Sequence, residues 1–253
     1  MPELKDKIAV ITGSSRGLGK MLAVEFARQG AKVVIAARSE TENQALPGTI
    51  HQTAATIKAE GGYALPIKCD VTSEESVAEM VGKVLAGLGR IDVLVNNAGT
   101  AFPKSIVETL LKRWELVLRV NLTGAFLCAR AVLPGMIERK CGSIINITSI
   151  DATARSPGFT GAAYGVSKAG LERLTWSLAA EVGRYNIAVN ALKPREGIAT
   201  EGLLAVSGGT GRERWDKPEK FLRAAVFLAK QDASGVTGVI ASDEEYCLWH
   251  GLG

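Results

Sequence analysis

The chain is poor in the residues from which metal centres and disulfide frameworks are built. Two histidines, His51 and His250, and four cysteines, Cys69, Cys128, Cys141 and Cys247, are scattered over 253 residues with no C-x-x-C spacing. No zinc cluster is expected from neighbouring ligands, and no metal site is assigned. Isolated thiols fit a reducing, cytoplasmic compartment. Proline is scarce, 8 residues beside 28 glycines, which points to tight turns and not to a Pro-rich linker. Lys and Arg number 30 against 26 Asp and Glu, a formal +4. The basic residues stand singly, without the charge runs that mark a nucleic-acid footprint, and a mildly basic solvated surface accounts for them. Long apolar runs are also missing at the start: Met1-Pro2-Glu3-Leu4-Lys5-Asp6-Lys7 is charged and leads into a strand-length apolar stretch. That is neither a signal peptide nor a span of about 20 apolar residues, so nucleic-acid, membrane and secretory roles are not expected.

What the chain does have is a globular composition, 47% hydrophobic and 22% charged, at a length that buries roughly 70% of the extended-chain surface. One domain spanning 1–253 is expected. Short β-branched apolar runs at 8–12, 32–36, 64–68, 91–95, 143–147, 188–192 and 236–241 read as strands, most of them apolar on both faces. Strands of that kind belong to a parallel sheet covered by helices on each side. Between them, 17–29, 49–60, 73–88, 108–120, 125–139, 164–185 and 218–230 carry helical periodicity, with Ser73 placed to cap the third. The βαβ rhythm predicts an α/β fold with a doubly wound, seven-stranded parallel sheet, of Rossmann type. The stretch 194–216 holds five glycines and no sustained apolar period. It follows the sixth strand and so emerges at the carboxyl edge, where open α/β sheets bind ligands. It reads as a substrate lid, with a plain flexible surface loop as the alternative.

After the first strand comes Thr12-Gly13-Ser14-Ser15-Arg16-Gly17-Leu18-Gly19, leading directly into a helix. Amide groups at a helix N-terminus attract a pyrophosphate, and glycine lets it approach closely, so Gly13, Ser15, Arg16, Gly17, Leu18 and Gly19 are candidate cofactor contacts. An ordinary tight turn has the same composition, so context must decide. Folds of the NAD type place a carboxylate about 20 positions further on, where it binds the ribose 2′-hydroxyl. Here the second strand ends Ile35-Ala36-Ala37-Arg38. With Arg16, Arg38 suits a 2′-phosphate, which predicts NADP(H) over NAD(H); the alternative leaves both arginines as solvated surface residues.

Tyr164-Gly165-Val166-Ser167-Lys168 opens a helical segment and sets a tyrosine and a lysine on one helix face. The pair alone is as consistent with a surface tyrosine beside a solvated lysine. The preceding strand, however, ends Asn146-Ile147-Thr148-Ser149, and strand carboxyl ends converge on the crevice that the glycine turn faces. Carbonyl reduction needs a proton donor as hydride arrives, and the reverse reaction needs a phenolate that is scarce at neutral pH. A nearby ammonium is expected to lower the tyrosine pKa. Ser149 is placed to polarise the substrate oxygen.

On these residues the chain resembles the short-chain dehydrogenase/reductase family across nearly its whole length. The T-G-x-x-x-G-x-G turn is followed by Asn96-Asn97-Ala98-Gly99, Asn121, Ser149 and Tyr164-x-x-x-Lys168, in the family's order. The resemblance implies that Tyr164 is the general acid/base, Ser149 the orienting hydroxyl, Lys168 the tyrosine's electrostatic partner and ribose contact, and Asn121 a member of a proton relay. It also implies that Asp70 and Val71 contact the adenine and that Asn97, Ala98 and Gly99 flank the nucleotide. Pro194, Ile198 and Thr200 match nicotinamide-contacting positions, with one residue more than the usual spacing. Two further departures are a longer segment between Ser149 and Tyr164, which is expected to shape the pocket through 151–160, and Asp243-Glu244-Glu245 where the family has Asp-Gly-Gly. The tail after it is expected to close the core or to meet a neighbouring subunit.

Within the family, 46–50, 64–66 and 190–194 look most like the hydroxysteroid-dehydrogenase-like branch. The expectation is an NADP(H)-dependent oxidoreductase acting on a small alcohol or carbonyl compound, with family similarity implying a homotetramer or homodimer built on 125–139 and 164–185. The alternatives are a 3-oxoacyl-thioester reductase of the same fold and a regulator that senses NADP(H) without turnover.

Overall fold

The computed structural model describes residues 2–42, 47–154, 160–209, 213 and 215–253. The strands are β1 (Ile8–Thr12), β2 (Lys32–Ala37), β3 (Tyr63–Lys68), β4 (Val93–Asn96), β5 (Gly142–Ile147), β6 (Ile187–Lys193) and β7 (Ile240–Ser242). The helices are α1 (Gly17–Arg28), α2 (Ile50–Ala59), α3 (Glu74–Leu88), α4 (Leu111–Leu118), α5 (Gly124–Arg139), α6 (Ala162–Val182), α7 (Glu201–Ser207), α8 (Glu219–Ala229) and α9 (Asp243–His250). All strand pairs are parallel, in the order β3-β2-β1-β4-β5-β6-β7. The chain winds outward from β1 to β3, returns to the other side of β1 and winds outward again. The carboxyl ends of β1 and β4 therefore diverge and open a crevice between them.

Alternation along each strand divides the core into two layers. Ala9 and Ile11 face α1, α2 and α8 through Leu22, Phe26, Ile57, Phe221 and Leu228. Ile8 and Val10 face α3, α5 and α6 through Met80, Val84, Val132, Met136 and Val182. Each large side chain buried in these layers contributes about 1.5–3 kcal/mol. The run from α4 through α5, Leu111–Arg139, is long and apolar enough to cross a membrane, yet half of its most apolar window is buried within the fold. Packing between the sheet and its neighbours accounts for that composition.

The structure differs from the sequence reading in one helix, one strand and two added helices. The helix expected over 108–120 begins only at Leu111, because Ser105 and Glu108 cap a separate 3₁₀ turn, Ile106–Glu108. It also does not end at 120 but widens into a π-helical turn, Arg119–Thr123, that runs straight into α5. The last strand is shortened to three residues, since Asn190 and Thr237 side chains replace ladder bonds at Val189, Val236 and Val239. Two helices, α7 and α9, were not expected. In α9 the cap is Ser242 with Glu245 at its third position, a capping box that is legible as S-x-x-E.

Candidate active site

The glycine turn is locked to β2 and β4 before any ligand is considered. Ser14 donates to Ile11 O (2.6 Å) and accepts from Ala36 N (3.1 Å), while Gly13 N donates to Ala36 O. Thr12 Oγ1 accepts from the amides of Asn97 and Ala98 at 3.0 and 3.1 Å. Asn97 Nδ2 in turn donates to the carbonyls of Thr12 and Gly13. The segments lie so close that a Cβ on Gly13, whose φ is +66°, would sit 2.8 Å from Ala98 Cα, and one on Gly19 would collide with Asn97 and the Gly13 carbonyl. Glycine is required at both positions. Beyond the turn, α1 starts from Arg16 with no side-chain cap and no acidic residue in its first turn. Its amides form an anion seat at a helix terminus.

The cleft over this seat is lined by the glycine turn, by Arg38 and Ser39 after β2, by Cys69, Asp70 and Val71 after β3, by Asn97, Ala98 and Gly99 after β4, and by Val120, Thr200 and Gly202. At the β2 edge Arg38 faces Asp70 across 4.0 Å and remains largely exposed. The Arg16 guanidinium is held by Ser39 Oγ and the carbonyls of Pro47 and Gly48. The two arginines thus flank one end of the cleft, with Arg38 the freer of the two. Asp70 Oδ1 accepts from the amide and hydroxyl of Thr72, which shapes the turn after β3. A glycine-floored cleft that begins at a helix N-terminus and ends between two guanidinium groups fits a dinucleotide.

At its other end the cleft reaches the titratable cluster. A Cβ on Gly99 would stand 3.7 Å from Asn121 Oδ1 and 3.8 Å from Lys168 Nζ. Lys168 is 3% exposed; its ammonium donates to Ile147 O at 2.7 Å and lies 5.5 Å from the centre of the Tyr164 ring. Asn121, inside the π turn, binds both backbone groups of Thr100 and donates to Ser167 Oγ, and Ser167 donates to Tyr164 O. The π turn is thereby tied to the first turn of α6. Gly161, with φ +84°, lets the chain pass the Phe102 carbonyl just before Tyr164. Ser149 ends the β5 segment and accepts from Asp151 N at 3.1 Å.

Burial sets the protonation equilibria here. Desolvation pushes the Tyr164 phenol up to about 12, with a smaller downward pull from its hydrogen bond to Ser149 and an upward push from Asp151. Desolvation lowers Lys168 to about 8. The net direction for the phenol is upward and is set by the packing around it, with the Lys168 ammonium 5.5 Å from the ring centre.

Asn121, Ser149, Tyr164 and Lys168 are gathered beside Gly99 at one end of the cleft, and all expected cofactor contacts but four line it. The exceptions are Tyr164 and Lys168, which stand in that cluster, and Pro194 and Ile198. Ile198 is buried and pairs with Asp216 in an isolated parallel bridge, which joins the start of 194–216 to its end. Of the segment expected to shape the pocket, 155–159 lie outside the described residues, as do 210–212 and 214 of the expected lid. The α9 tail closes the core: Tyr246 is fully buried and donates to backbone carbonyls of Ala191 and Val239, and His250 stacks on Phe227. Residues the sequence did not disclose are Thr12, Ser39, Ser167 and Glu201, whose carboxylate accepts from Gly17 N. Asp243, which accepts from Arg195 N, stands at the first position of the family's Asp-Gly-Gly and could have been found there.

A parallel sheet whose switch point holds an anion-binding turn, with tyrosine, lysine and serine at the far end of the same cleft, defines a nucleotide-dependent oxidoreductase. Residues 7–203 match the short chain dehydrogenase family, and the chain belongs to it. It is 35% identical over 243 residues to hydroxysteroid dehydrogenase-like protein 2 of Danio rerio, covering 96% of this chain and 58% of that protein; the chain spans little more than half the length of that relative. It is also 35% identical over 246 residues to the 3-oxoacyl-acyl-carrier-protein reductase FabG of Thermotoga maritima, covering 94% and 96% of the two. Among solved structures, a short-chain type dehydrogenase/reductase from Mycobacterium marinum superposes with a TM-score of 0.86 at 30% identity, over 94% of each chain. A Beutenbergia cavernae chain assigned as an NAD(P)-dependent gluconate 5-dehydrogenase, holding NADP at low occupancy, gives 0.85 at 32%, over 96% and 97%.

Proposed function

We propose that this oxidoreductase uses NADP(H) to interconvert a secondary alcohol and a ketone or aldehyde. The observation that carries the reading is the meeting of Asn121 and the buried Lys168 beside Gly99, the residue at which the cleft passes into the Tyr164 cluster. A bound nicotinamide supplies the hydride chemistry. The protein's part is geometry and proton movement. In reduction Tyr164 gives its phenolic proton to the substrate oxygen, and Ser149 Oγ donates to the same oxygen and holds it in place. The Lys168 ammonium stabilises the phenolate that results, which a desolvated phenol otherwise resists. Asn121, through Ser167 and the Tyr164 carbonyl, fixes the helix turn that presents the phenol and stands where a relay can return the proton. In oxidation the same groups act in reverse.

Arg38 and Arg16 support the choice of NADP(H), since guanidinium groups suit a 2′-phosphate. The segment 194–216 is assigned as a substrate lid because Thr200 and Gly202 reach the cleft from it. Exposed Phe126 on α5 and Trp176 on α6 support a homodimer or homotetramer built on those helices, and the isolated, buried thiols Cys69 and Cys128 suit the cytoplasm.

The test is a panel of ketones, sugars, steroids and acyl thioesters with NADPH and NADH, followed by loss of reduced-nicotinamide absorbance. NADPH-dependent turnover is expected for one class, abolished in Tyr164→Phe with dinucleotide binding nearly intact. Equal turnover in the variant, or a strong NADH preference, contradicts the corresponding part of the reading. The second reading is a 3-oxoacyl-thioester reductase, favoured by the identity with the Thermotoga maritima enzyme; turnover confined to the acyl thioesters selects it. Arg195, the described member of the arginines that would form a basic patch for such a carrier, is instead paired with Glu244. A sensor without turnover is disfavoured by the retention of Ser149, Tyr164 and Lys168 together.

A further inference from the structure

The anion seat at the start of α1 has a partner from within the chain. Glu201 lies 184 residues from Gly17 in sequence, yet its Oε2 accepts from the Gly17 amide at 3.0 Å. Gly17 is the first residue of α1, a helix with no acidic residue in its first turn and no side-chain cap, so its terminal amides are open to an anion brought from elsewhere. The approach is built and not incidental. Thr200 caps α7 by accepting from Leu203 N at 3.1 Å, which sets Glu201 in the first turn of that helix. The side chain of Thr200 packs against Gly17, with its Cβ 3.4 Å from where a Cβ on that glycine would lie. Thr200 and Gly202, on either side of Glu201, both line the cleft.

We propose that Glu201 is an intramolecular competitor for the phosphate seat and thereby sets the affinity for the dinucleotide. The inference rests on the reading of the cleft as a dinucleotide site. One amide hydrogen is directed at one acceptor, and a carboxylate and a diphosphate are both anions, so the seat takes either but not both. Binding the dinucleotide requires Glu201 to leave, and the apparent dissociation constant rises by the reciprocal of the fraction of molecules in which it has left. A carboxylate at an exposed helix terminus is held only modestly, which puts the expected effect at about three- to tenfold. Arg16 is held by Ser39 and Gly48 and Arg38 faces Asp70, so the competition is expected at the diphosphate end alone.

Equilibrium titration of the full chain, read by calorimetry and without turnover, tests this. The Glu201→Gln variant keeps the size of the side chain, removes its charge and lies at an exposed position, so the fold is expected to be retained. NADPH is expected to bind Glu201→Gln about three- to tenfold more tightly than the wild type. Adenosine 2′-monophosphate, which lacks the diphosphate, is expected to bind both equally. Unchanged or weaker NADPH binding in the variant overturns the inference, and so does equal tightening for adenosine 2′-monophosphate, which would show a general loss of negative charge. If the wild type and the variant both fail to bind any dinucleotide, the cofactor reading falls and takes this inference with it; binding by the wild type with no change in the variant removes this inference alone.

Discussion

Lys168 is the residue whose charge the proposed chemistry needs and whose burial opposes it. Burial lowers its pKa to about 8, so the ammonium is lost as pH rises through that value. Carbonyl reduction is expected to show kcat/KM that is flat at lower pH and falls above about 8. In Lys168→Arg the guanidinium stays charged to well above pH 10, and the residual activity is expected to lose that falling limb. The same limb in the variant would assign the titration to another group. Stability runs the other way: the folded pKa lies below the ordinary lysine value, the unfolded chain binds more protons between the two, and this group's contribution to stability grows as pH rises from about 8. The grouping of Tyr164, Lys168 and Ser149 is legible in the sequence once helix spacing, the strand end and the family resemblance are taken together. The pKa of Tyr164 is not legible, since it depends on how many atoms pack around the phenol. Glu201 and Ser167 escape for a related reason: each acts through a partner on a separate segment, and a lone Glu or Ser carries no local signal of that partner.

At the scale of elements, the helices that sequence reading misses are the ones that hold the site's edges. The α9 helix is started by Ser242, whose hydroxyl accepts from Glu245 N while the Glu245 carboxylate accepts from Ser242 N at 2.7 Å. Its first residue, Asp243, is 2% exposed and receives the Arg195 amide at 2.8 Å, so this helix anchors the base of the segment that leads to Glu201. Ser242→Ala is expected to cost about 1 kcal/mol and to lower the urea midpoint without changing its slope. An unchanged midpoint would mean that the core contacts of Tyr246, and not the cap, set the helix. The α7 helix is hidden in the sequence by the glycines around it, whereas the helix that becomes α4 and α5 looks like two ordinary helices. The π turn between them follows from packing Asn121 against Thr100 and Ser167, contacts that no periodicity announces.

Taken as a whole molecule, the sheet order is what brings the glycine turn and the helix that carries Tyr164 and Lys168 to one cleft: β1 and β4 are neighbours in space, and the loops after β4, β5 and β6 all return to that edge. This much is legible from the alternation of apolar runs and helical periods, because strands buried on both faces leave few topologies open. Assembly is not, since it depends on which apolar side chains stay outside. Phe126 and Trp176 are exposed in the single chain, and sedimentation at micromolar concentration is expected to show a dimer or tetramer; a monomer there contradicts the assembly proposed for α5 and α6. The most direct measurement is a crystal structure of the chain with NADP⁺ bound. The diphosphate is expected on the Gly17 amide, and the nicotinamide between Gly99 and Tyr164, with the phenol and the Ser149 hydroxyl facing one side of the ring. A nicotinamide lodged elsewhere, or a Tyr164 side chain turned away from it, would contradict the proposed chemistry.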